Sequence, residues 1–204
     1  MSRLSSMAAQ VEISEEDQLR AGWYSLLAQL LSREPGAELL QMLRGLDGDD
    51  SELGKGIRAL AAAARGTTVE SARHEYFDLF VGIGQGELLP YASYYLTGFL
   101  NEKPLARLRD DMARLHIARA DDVAEPEDHV AALCEMMSGL ITGGFGAPAD
   151  LIEQRKFFDT HIGCWAPRFF EDLQGAQSAV LYMPVGTIGR LFMAIEAQAF
   201  DMAA

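Results

Sequence analysis

The sequence predicts an all-α protein, a single-domain helical bundle of about eight to ten helices. Three observations carry this. Apolar residues recur at spacings of three and four almost everywhere. Helix-capping signals stand in front of these runs. No segment sustains the period-two alternation of a half-buried strand. The 204 residues are 49% hydrophobic and 23% charged, an ordinary globular composition that excludes general disorder.

The first helix is expected over 14–33. Ser14-Glu15-Glu16-Asp17 reads as an N-cap followed by a carboxylate three positions on, and Leu19, Trp23, Leu26, Leu27, Leu30 and Leu31 form one stripe. Arg33-Glu34-Pro35-Gly36 ends it, and shorter helices follow near 37–46 and 51–65. Thr67-Thr68-Val69-Glu70 is a second capping signal, opening a helix with Val69, Ala72, Tyr76, Leu79 and Phe80. Gly82, Gly84 and Gly86 break it, and a flexible loop near 82–92 leads into 91–100, where dense aromatics let a strand compete. Further helices are expected near 103–115, 126–142, 148–161, 164–174 and 178–200, the last with Leu181, Val185, Ile188, Leu191, Phe192 and Ile195 on one face. Residues 1–13 read as a flexible N-terminus and 14–204 as one domain.

Charge excludes several functions. The net charge of −13 disfavours nucleic acid or an anionic membrane surface as partner. No apolar run is long enough for stable membrane insertion, and no secretory signal stands at the N-terminus. Two cysteines, Cys134 and Cys164, fit a reducing compartment. A cytoplasmic location is expected.

The chemical motifs fail one by one. Gly82-Ile83-Gly84-Gln85-Gly86-Glu87 has Glu87 where a dinucleotide fingerprint needs its third glycine, and a helix precedes it. Gly54-Lys55-Gly56 is no phosphate loop. The residues three before His74, His116, His129 and His161 are not acidic, so the Glu-x-x-His pairs of a di-iron bundle are missing; Glu70/His74 and Glu125/His129 keep an i, i+4 spacing. No catalytic residue, metal or cofactor is expected. The rival class is a helical metal-dependent hydrolase or other metalloprotein using His129 and Asp128.

Two constellations remain. One is Pro90-Tyr91-Ala92-Ser93-Tyr94-Tyr95. The other is Glu125-Pro126-Glu127-Asp128-His129, in front of an apolar run with Val130, Leu133, Met137, Leu140 and Ile141. Pro126 suits a first helical position, which would put Glu127 and Asp128 in the first turn. Between 120 and 154 there are eight carboxylates and no Lys or Arg, which reads either as a solvated acidic face or as a receptor for a cationic segment.

Together with Glu75-Tyr76-Phe77-Asp78-Leu79-Phe80-Val81-Gly82 and the later Phe157-Phe158, His161, Trp165 and Tyr182, these runs resemble the TorD/DmsD/NarJ family over roughly residues 70–200. The resemblance implies an all-helical, cytoplasmic, non-enzymatic chaperone for molybdenum-containing redox enzymes. Such proteins bind the twin-arginine leader or N-terminus of a catalytic subunit, and some form homodimers, domain-swapped ones included. By motif position it implies Tyr91, Ser93, Glu125, Pro126, Asp128 and His129; with Glu127 from the acidic segment and Tyr94 from the aromatic run beside them, these are the expected peptide-binding residues. The Glu87-Leu88-Leu89-Pro90 variant is similar to members linked with formate dehydrogenase. An Arg-Arg pair beside an apolar stretch suits an acidic lip beside an apolar groove, because guanidinium pairs with carboxylate in bidentate fashion.

Overall fold

The computed structural model describes residues 13–119 and 125–203, and in them ten α-helices, two π-helical turns and no strand. The expected flexible segment 1–13 lies almost wholly outside the described residues, as do Asp121 and Asp122. The helices are α1 (Glu15–Ser32), α2 (Ala37–Arg44), α3 (Glu52–Gly66), α4 (Val69–Tyr76), α5 (Ala92–Thr97), α6 (Lys103–Arg114), α7 (Val130–Thr142), α8 (Leu151–Phe157), α9 (Ala166–Gly175) and α10 (Tyr182–Met202). Caps form as the sequence dictates: Ser14 accepts from the Asp17 N–H, and Thr68 and Ser71 form a reciprocal capping box.

α1 lies along α7, while α10 lies along α9, crosses α3 and touches α1. Tyr24, Leu27, Leu30 and Leu31 of α1 are buried against this framework, with Met137 and Leu133 of α7 and Phe169, Phe170 and Tyr182 from the other half. Close approach of α10 to α9 depends on Gly189, where a Cβ would stand 2.2 Å from the Phe170 ring. One charged cluster is built into the core: Arg20 donates to both oxygens of Glu196, which also accepts from the Tyr24 hydroxyl. That inward turn of Arg20 explains why Leu19, expected on the apolar stripe, is exposed: adjacent helical positions point about 100° apart. Val69 and Ile195, also expected on apolar faces, are exposed as well.

Other departures are local. α4 continues into a π-helical turn, Phe77–Val81, and α8 into a second, Phe158–Ile162. Each closes on a glycine whose N–H donates five residues back, Gly82 to Phe77 and Gly163 to Phe158, both at 2.7 Å. Gly82 sits at φ +62°, where a Cβ would meet the Gln85 carbonyl at 2.0 Å, so glycine is required there. The competing strand at 91–100 reduces to a single antiparallel bridge between Tyr91 and His129, followed by α5 and a turn over 98–100.

Candidate functional site

The two motifs meet. The Val130 N–H donates to the Pro90 carbonyl (2.8 Å) and the Ala92 N–H to the Asp128 carbonyl (3.0 Å), which lays Pro90–Ala92 against Asp128–Val130. The expected helix start at Pro126 is corrected by this pairing. α7 begins at Val130 with His129 as N-cap, and Glu125–Asp128 form a turn in front of it. The reason is where the acidic side chains go. The Asp128 carboxylate is buried and accepts the Ser93 N–H at 2.7 Å, serving the start of α5 rather than of α7. The Glu127 carboxylate accepts two N–H groups of Arg109 at 2.8 and 3.1 Å, and Arg119 lies 3.6 Å away. His129 then caps α7 itself, its Nδ1 accepting from the Ala131 N–H at 3.1 Å.

Of the acidic lip, Glu127 is therefore neutralised from outside its own stretch of sequence, by Arg109 and Arg119. Glu125 stays exposed, and one of its oxygens accepts the Tyr91 hydroxyl. Its neighbourhood changes proton affinities. Burial and then the Glu125 carboxylate raise the Tyr91 phenol above its ordinary range, and burial with Glu125 and Glu34 pushes Tyr76 to about 12. Burial is the largest single influence on Glu127 and works against its ionisation, yet donation from Arg109, a backbone hydrogen bond and the charges of Arg109 and Arg119 together hold that carboxyl below the usual range.

These groups border a cavity of ≈ 360 Å³. Its apolar wall is Tyr76, Phe80, Met112, Ile117, Met136 and Phe145, and its polar edge is Tyr91, Glu125, Glu127, His129 and Glu135. Five of the eight motif residues border it: Tyr91, Glu125, Pro126, Glu127 and His129. Ser93 and Asp128 lie buried behind them, and Tyr94 is exposed outside the lining. The motif reading missed Glu135 and Arg109. Glu135 carried a signal, being the one charge in the apolar run Val130–Ile141. Arg109 carried none, since its partner is 18 positions away. Among the described residues no three His, Cys, Asp or Glu side chains cluster as metal ligands, and the Nδ1 of His129 and one oxygen of Asp128 are already engaged by backbone N–H groups.

His129 gives the site a pH signature. Burial lowers it from 6.5 to about 4, against the pull of Glu125 and Asp128. A depressed histidine contributes stability that is complete above pH 6.5 and is lost as the pH falls towards 4, since protonation removes the Nδ1 acceptor. Asn at this position keeps an acceptor for Ala131 and takes up no proton. Urea unfolding at neutral and at mildly acidic pH should show His129→Asn spared about 2–3 kcal/mol of the acid-induced loss suffered by the unaltered chain. Equal losses would mean that His129 does not govern this window.

Fold and site together define a helical protein built around an apolar, acid-edged cavity. A family model described as nitrate reductase delta subunit matches residues 46–171. The chain is 28% identical over 181 residues to the chaperone protein TorD of Aliivibrio fischeri, covering 78% of this chain and 84% of that one. It is 33% identical over 179 residues to TorD of Photobacterium profundum, covering 78% and 81%. A solved structure of a candidate redox enzyme maturation protein from Archaeoglobus fulgidus has the same fold, with TM-score 0.57 at 18% identity over 86% of this chain and 94% of that one. The chain belongs to the nitrate reductase delta subunit family, the TorD-like chaperones of redox enzyme maturation. Its named relatives are chaperones and not enzymes. No helix among the described residues is long and apolar enough to cross a membrane.

Proposed function

We propose that the chain works in the cytoplasm and binds the twin-arginine leader, or the N-terminal segment, of the catalytic subunit of a molybdenum-containing oxidoreductase, holding it while the enzyme matures before export or assembly. The observation that carries this reading is the cavity itself: apolar inside, carboxylate-edged, and walled by both signature motifs. A leader offers the complement, cationic side chains next to an apolar stretch. Residues 14–204 act as one binding unit, with the 82–92 segment joining its halves. Tyr91, Glu125, Pro126, Glu127 and His129 border the bound segment, whereas Ser93 and Asp128 act behind them by fixing how α5 meets α7. The relatives found are TorD proteins, which gives formate dehydrogenase as client no added support.

Calorimetric titration of a synthetic Arg-Arg leader peptide tests the reading. Saturable one-to-one binding is expected, weakening about tenfold between roughly 0.05 and 0.5 M salt because exposed charge pairs are screened. Absence of binding, or binding indifferent both to salt and to replacement of the arginines, would contradict it.

A further inference from the structure

The carboxylates bordering the cavity are not equivalent. Glu127 is consumed by Arg109 and Arg119. Glu125 has one oxygen engaged by Tyr91. Glu135 also lines the cavity, stands exposed where it opens to solvent, and makes no hydrogen bond or ion pair among the described residues. Arg33, at the end of α1, acts on it only at longer range, and partial burial raises its proton affinity.

Helix geometry places it. α7 turns Ala131, Ala132, Glu135 and Met136 toward the cavity, the two alanines leaving space and Glu135 following one turn later. From the His129 cap, which stacks edge-on against Tyr91 at 5.0 Å, six residues of helix span about 9 Å. Glu125 therefore stands near one end of this row and Glu135 near the other, with apolar wall between them. Two adjacent cationic side chains of an extended peptide diverge enough to reach both.

We infer that Glu135, with Glu125, is the residue by which the cavity selects a peptide bearing cationic side chains beside its apolar stretch, whereas Glu127, held by Arg109, and Asp128, buried behind the lining, make no contact with those cations. This rests on the reading of the cavity as a leader-binding site. An incoming guanidinium would give Glu135 the partner it lacks, and a charge-assisted bond of this kind is worth at least a factor of ten in affinity.

The test uses the full chain and two synthetic peptides, one with Arg-Arg before an apolar run and one with Gln-Gln in its place. The unaltered chain is expected to bind the Arg-Arg peptide about tenfold or more tightly than its counterpart. Glu135→Gln, an exposed and shape-conserving change, should cut that preference to below about threefold. Glu38→Gln, the same loss of charge on the exposed surface of α2, should preserve the full preference. A Glu135→Gln chain that keeps the full preference overturns the assignment of Glu135 and leaves the leader-binding reading standing. Failure of the unaltered chain to bind either peptide overturns both.

Discussion

Glu75→Ala is expected to destabilise the protein by about 4 kcal/mol. Glu75 is buried on α4, and its two oxygens accept the N–H groups of Val180 (2.7 Å), Leu181 (3.1 Å) and Tyr182 (2.8 Å). Tyr182 is the first residue of α10, a 21-residue helix with no side-chain cap of its own; Leu181 is its N-cap and Val180 stands just before it. The carboxylate supplies the cap from another element and meets the positive end of the helix dipole. Removing it strands three donors, two of them with buried neighbours, and exposes the junction on which α10 packs against α9 and α3. Urea unfolding should show the midpoint falling with little change in slope, and the melting temperature should drop by roughly 10 °C. Glu75→Gln, which keeps an acceptor and loses the charge, should fall between. A loss below about 1 kcal/mol for Glu75→Ala would mean that α10 does not depend on this cap.

Glu75 belongs to a run that the sequence reading used for family resemblance, and the structure gives it a structural task. The same division runs through the other motifs. Helix identities were legible because amphipathic spacing and caps are local: Ser14, Thr68 and the apolar stripes of α1 and α10 act within a few residues of themselves. The two π turns were not legible, because one extra residue per turn leaves composition unchanged and shifts the stripe by less than the width of a face. The start of α7 was misread because Pro126 obeys a local preference, while Glu127 and Asp128 are drawn to Arg109 and to the start of α5. Such partners are tertiary, and no spacing rule reaches them.

Electrostatics showed the same limit. A stretch without Lys or Arg between 120 and 154 suggested uncompensated charge, yet Arg109 and Arg119 lie beside Glu127, and Arg114 pairs with Glu153 at 2.7 Å. Charge along the chain is not charge in space. The sequence did bring forward both motifs, and the structure sets them side by side. The inequality among carboxylates, with Glu125 and Glu135 available, Glu127 paired and Asp128 buried, came only from the folded arrangement.

The central claim is that the apolar cavity receives the apolar part of a client leader. Ala132 is half-buried on the cavity face of α7, where the space in front of it can take a larger side chain. Ala132→Phe should therefore fill the cavity with a change in stability of no more than about 1 kcal/mol, read from thermal unfolding. Titrated with the Arg-Arg leader peptide, this variant is expected to lose about a hundredfold or more in affinity, since the apolar segment has nowhere to bury. A folded Ala132→Phe chain that binds the peptide as tightly as the unaltered protein would contradict the account, because the leader would then be held somewhere other than this cavity.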